Sequence, residues 1–168
     1  NGMQAIRWIG QREMSGAALS KAPHLQPVLI RAGALGNGLP ERDLLVSPNH
    51  RVLVANDTTE LYFEEREVLV AAKHLTHLDG VDSVEVSGTT YIHVMFDSHE
   101  VILSEGAWTE SFQPGDHSLS GIDGEQRDEI FKLFPSLKTA KGRRAYSSAR
   151  QSLKAHEAKM LRDSMGGN

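Results

Sequence analysis

The run Tyr91-Ile92-His93-Val94-Met95-Phe96-Asp97-Ser98-His99-Glu100-Val101-Ile102-Leu103 decides the fold class. Two stretches rich in apolar, β-branched and aromatic residues flank a polar Asp-Ser-His-Glu turn, which is the pattern of two strands joined by a turn. Comparable short runs, bounded by Gly, Pro, Asn or Asp, recur on both sides of it. Strands are predicted over 5–9, 27–32, 43–47, 51–55, 60–63, 84–87, 90–96, 100–103 and 107–111. The stretch 67–78 has mixed periodicity and reads as a strand running into a short helical turn. The segment 33–40, with three glycines and a proline, is a loop, ordered or flexible.

Past Gly115 the pattern changes. Ser120 or Asp123 can cap a helix over 124–134, which must stop before Pro135. A second helix is expected over 147–165, with Ala149, Leu153, His156, Met160 and Leu161 near one face. The sequence thus predicts a mainly β domain over 1–116 and a helical C-terminal extension over 117–168. At the other end Asn1-Gly2 reads as a turn dipeptide leading into a strand, like the second half of a hairpin.

The 168 residues suit one domain or one domain with an extension. The formal net charge of −4 argues against a nucleic-acid partner held through phosphates. The tail from Lys138 to Arg162 is locally basic and reads as a solvated face. No apolar run approaches the roughly 18 residues that a membrane span needs. With no cysteine, the chain has no disulfide, thiolate metal site or Cys nucleophile of its own.

Three groups of residues could carry chemistry. In Ser47-Pro48-Asn49-His50-Arg51-Val52-Leu53-Val54, a Pro-Asn turn presents His50 at the mouth of an apolar strand. An imidazole fixed there is placed to act as a general acid or base, because its ordinary pKa lies near neutrality; a turn histidine without a role fits the same spacing. In the opening run, Asp97 and His99 are neighbours on one side of the turn. A carboxylate beside an imidazole can orient it, although an ordinary polar turn is equally consistent. His74 and His77, spaced i, i+3, could share a metal, but no third ligand is evident and HExxH spacing is absent. No G-x-S-x-G elbow, P-loop or dinucleotide fingerprint occurs.

Together these segments resemble a known family. Gln4-Ala5-Ile6-Arg7-Trp8-Ile9-Gly10, Pro27-Val28-Leu29-Ile30-Arg31-Ala32-Gly33-Ala34-Leu35-Gly36, Asp43 to Leu53, Glu67 to Leu75, Tyr91 to Val101 and Glu105 to Phe112 are similar, in order, to the bacterial Hint-2-type branch of the Hint (hedgehog/intein) domain. The resemblance implies a horseshoe-like β fold in which a peptide bond is rearranged. In the family an N-terminal Cys or Ser attacks the carbonyl of the preceding residue, and a His in a T-x-x-H block assists at the scissile nitrogen. Ser47 to His50 match that block, with Ser47 in place of Thr. Asp97 and His99 match a later block that supports the nucleophile and the second step. The resemblance therefore implies His50, Asp97, His99 and Ser47 as site residues, with no cofactor and no metal.

Two departures qualify that expectation. Splicing members end in His-Asn followed by a nucleophile, whereas Glu110-Ser111-Phe112 stands at the matching place; cleavage or acyl transfer is expected, and splicing is not. The family segment that carries the nucleophile and first strands has no counterpart in residues 1–168. The expected activity is thus self-cleavage by an N-to-S or N-to-O acyl shift, with the domain's own upstream polypeptide as substrate and the chain inactive as it stands. The alternative is a degenerate Hint fold kept as a structural or protein-interaction module. Neither nucleic acid nor membrane is an expected partner. Exposed strand edges in a shortened domain predict a homodimer or strand exchange, and the family resemblance implies an exported bacterial protein.

Overall fold

The computed structural model describes residues 2–165. Asn1, half of the expected turn dipeptide, lies outside them, as does the side chain of Arg162. Among the described residues ten strands form three sheets. Among the described residues no helix is long and apolar enough to cross a membrane.

The first sheet is a two-stranded antiparallel ribbon of β1 (Trp8–Ser15) and β7 (Gly88–Met95), with Trp8 opposite Met95, Gly10 opposite His93 and Arg12 opposite Tyr91. Alternation puts Trp8, Gly10, Arg12 and Met14 on one face. The opposite face carries Ile9 and Ile92, both exposed. A free strand edge invites foreign pairing. Part of this one is closed by Gln126, whose Oε1 accepts from the Gln11 amide at 2.9 Å while its Nε2 donates to the Gln11 carbonyl at 2.8 Å. That side-chain amide does what a neighbouring strand's peptide group would do. Gly10 is required here, because a Cβ would collide with the Trp8 indole and the Gln126 amide.

The second sheet has five strands in the order β10-β5-β4-β9-β8. β4 (Arg51–Ala55) pairs along its length with β5 (Glu67–Ala71) and, at Val52↔Thr109, with β9 (Ala107–Glu110). β8 (Val101–Ser104) and β9 form a hairpin whose two turn residues, Glu105 and Gly106, both have positive φ, as a two-residue turn matching the strand twist demands. β10 (Gln151–Ser152) runs parallel to β5. The third sheet places β2 (Val28–Ile30) between β3 (Leu44–Val46) and β6 (Val81–Ser83).

The helices are α1 (Gly16–Lys21), α2 (Asp57–Phe63), α3 (Asp116–Gly121), α4 (Gly124–Leu133), α5 (Ala140–Ala145) and α6 (Ala155–Met165). Two apolar cores result. One joins the second and third sheets through Val28, Ile30, Val52, Val68 and Val70, and includes Leu153, Ala158 and Leu161 from the C-terminal region. The other packs the ribbon against the helices through Trp8, Met95, Leu119, Ile122, Ile130 and Leu137. Fully burying each such side chain contributes about 1.5–3 kcal/mol.

The mainly β fold with C-terminal helices is as expected, with local corrections. Residues 60–63 are helical, not a strand. Asn56 caps α2 in a reciprocal box with Thr59, and this local hydrogen bonding overrides the strand propensity of Tyr62 and Phe63. The strand expected over 84–87 lies instead at Val81–Ser83, and that expected over 5–9 begins at Trp8 and runs to Ser15. The helix expected from 147 begins at Ala155, because the residues before it lie in β10 and its flanking turns. Leu153 and Leu161 are buried as anticipated, whereas His156 and Met160 face outward. Asp123 does cap α4, accepting from the Gln126 amide at 2.9 Å. The 33–40 loop is ordered by its own backbone, with the Gly33 amide donating to the Pro40 carbonyl and the Leu35 amide to the Leu39 carbonyl.

Candidate active site

A cleft of about 720 Å³ lies where the two cores meet. The ribbon contributes Arg12, Tyr91 and His93 to its wall, the turn before β4 contributes His50, and the end of β9 contributes Glu110. Ser47 and His74 also line it.

His50 is presented by a turn pinned at several points. Its amide donates to the Ser47 carbonyl at 3.0 Å and its carbonyl accepts from the Ala72 amide at 2.9 Å, while the Lys73 amide donates to the Pro48 carbonyl at 3.0 Å. The residue as a whole is half-buried. Desolvation lowers its pKa from the ordinary histidine value; Arg51 and His99 push the same way and Glu110 opposes them. His93 stands on β7 with its ring 5.0 Å from that of Phe112. Its pKa is lowered as well, first by burial and then by His50 and Arg12, against the pull of Glu110. His50 and His93 are therefore both biased toward the unprotonated form, with one carboxylate acting on both.

That carboxylate is the residue sequence reasoning did not single out. Glu110 is buried and accepts from the Arg51 amide at 2.9 Å and from Arg51 Nη1 at 2.9 Å. His99 Nε2 lies 3.3 Å away. Buried carboxylates occur almost only when paired in this way. Arg51 Nη1 also donates to Gln113 Oε1 at 2.9 Å.

His99 is buried, and both ring nitrogens are engaged. Nδ1 accepts from the Ala149 amide at 2.9 Å, so the ring proton sits on Nε2, which donates to the Ser111 carbonyl at 3.1 Å. Asp97, two residues earlier, lies on the outer surface with both oxygens 2.9 Å from Arg7 Nη1. The turn between them is not a hairpin tip: β7 pairs with β1 while β8 pairs with β9. The chain crosses between sheets there, sending His99 inward and Asp97 outward. The structure thus brings His50, His93, His99 and Glu110 together, keeps Ser47 at the cleft wall, and leaves Asp97 outside.

His74 ends a 3-10 turn (Ala72–His74) at the cleft, where burial and then Lys73 lower its pKa. His77 is exposed, with Nδ1 3.1 Å from the His74 carbonyl oxygen. Among the described residues no group of three or more His, Asp or Glu side chains is placed to hold a metal.

The β body thus gathers histidines and a buried carboxylate into a cleft at the junction of two cores. The Hint domain family model matches residues 1–116, and the chain belongs to that family. At that level it is an autoprocessing-type domain. No curated protein and no solved structure matches the chain.

Proposed function

We propose that the cleft carries out an acyl shift at a peptide bond, with His50 and His93 moving the protons and Glu110 holding the charge. A Cys or Ser from polypeptide on the N-terminal side of residues 1–168 supplies the nucleophile. Its sulfur or oxygen forms a bond to the carbonyl carbon of the residue before it, and the carbon–nitrogen bond of that peptide breaks. His93 takes the proton from the thiol or hydroxyl, and His50, entering the step protonated, gives its proton to the departing nitrogen; a proton then passes from His93 to His50 and restores both. The products are a thioester or ester and a free amine, ready for cleavage by water or another acceptor.

The observation that carries this reading is the pairing of two desolvated imidazoles over one buried carboxylate. An amide nitrogen leaves only when protonated, and positioned general acid–base groups contribute about 10²- to 10⁴-fold. A lowered pKa leaves a histidine free to accept a proton at neutral pH and makes it a stronger acid once charged. Glu110 stabilises the imidazolium formed in passing. Asp97 takes no part in this scheme, and His99 acts through what it holds in place.

The test is the intact mass of a precursor extended upstream through a Cys, with and without added thiol. Thiol-accelerated loss of the upstream segment, abolished in His50→Ala, is the expected result. A mass unchanged under every condition would overturn the reading and leave the fold as an interaction module.

A further inference from the structure

The family match ends at residue 116, yet one of the closest contacts to the buried histidine comes from residue 149. We infer that Tyr146–Leu153 is a working part of the site, a strap whose Ala149 amide selects the His99 tautomer and thereby positions Glu110 in the cleft.

The strap is fastened at both ends and in the middle. Tyr146 Oη donates to the Phe96 carbonyl at 2.9 Å. Arg150 Nε meets Glu67 Oε2 at 2.6 Å, and the Leu153 amide donates to the Leu69 carbonyl at 2.9 Å. β10 runs parallel to β5 in between. These ties place the Ala149 N–H on His99 Nδ1.

A ring nitrogen that accepts from an amide cannot carry the proton, so the proton lies on Nε2. There it is donated to the Ser111 carbonyl, with Glu110 Oε2 3.3 Å from the same nitrogen. In the other tautomer, Nε2 would present a lone pair to the Ser111 carbonyl and to the Glu110 carboxylate, a repulsive arrangement in a buried place. The strap therefore decides whether the end of β9 is held or pushed away. His99 is a positioning residue, acting on His50 and His93 only through Glu110. The catalytic consequence rests on the acyl-shift reading of the cleft; the hold on His99 does not.

The test is made on the 168-residue chain with 15N-labelled histidine. Wild type is expected to show His99 protonated at Nε2 and unprotonated at Nδ1. Ala149→Pro, which replaces the N–H donor with a ring carbon and fixes φ, leaves the two acceptors at Nε2 as the remaining constraint and is expected to admit a detectable share of the other tautomer, whereas Ala149→Gly keeps the single one. A folded Ala149→Pro protein with the wild-type tautomer would overturn the inference. Amide exchange in the wild type decides the matter even if the proline variant does not fold. Protection of the Ala149 amide on the order of a hundredfold or more is expected for a bonded donor, and exchange at the rate of an open amide would contradict it. In the extended precursor, Ala149→Pro is expected to slow cleavage about tenfold, in line with the loss of a supporting contact. A wild-type precursor that never cleaves would defeat the proposed function while leaving the tautomer result intact.

Discussion

Two arginine–carboxylate pairs, Arg7–Asp97 and Arg51–Glu110, have the same 2.9 Å contact and opposite settings. Asp97 has 71% of its side chain exposed, and its partner is open to water as well. The Glu110 side chain is only 11% exposed, and it also serves the Arg51 backbone and faces His99. Distance alone does not rank them. Water screens the first pair, which therefore contributes little. The second pair has given up its solvent and is held by hydrogen bonds on several sides, so losing either partner strands a charge.

The comparison can be broken at its strongest point. Glu110→Ala leaves the Arg51 amide without its acceptor and the Arg51 guanidinium with Gln113 Oε1 but no neighbouring charge, and we expect a loss of about 3 kcal/mol in urea unfolding. Leu153→Ala loosens the C-terminal region where it joins the sheet core, and should cost about 2–3 kcal/mol with fluorescence or circular dichroism as the readout.

His50 and His93 provide a pH-dependent effect of smaller size. Their folded pKa values lie below those of the unfolded chain, near 6.5. Between the lowered values and about 6.5 the unfolded state binds more protons, so stability rises with pH across that window and falls as the pH drops through it. Urea midpoints at mildly acidic and neutral pH should show this slope, and His93→Gln should flatten it. Smallest of all is Asp97→Asn, expected to change stability by less than about 1 kcal/mol, an effect that added salt should reduce further.

Much of the scaffold was legible because its signals are local. The strand at Arg51–Ala55 lies where expected, and Asp123 caps a helix that ends before Pro135. At Asn56 the signal was local too, but capping chemistry outweighed the aromatic residues downstream. The site was legible in part. His50 reads from its Pro-Asn turn, and His99 from its place beside a polar turn. Which way that turn faced was not readable, because Asp97 and His99 separate only when the chain leaves one sheet for another. Glu110 was hidden for the same reason. It lies 59 residues from Arg51, and only the long-range pairing of β4 with β9 gives it a partner. Ala149 offers no side-chain signal at all, since its contribution is a backbone N–H.

The most direct measurement compares Glu110→Gln with Asp97→Asn in the thiol-induced cleavage of the extended precursor. Glutamine keeps the size of the side chain and removes the charge that acts on His50 and His93. We predict cleavage at least about tenfold slower in Glu110→Gln and unchanged in Asp97→Asn. The reverse result, a normal rate without the Glu110 charge and a large loss without Asp97, would place the proton chemistry on the outer turn and contradict this account.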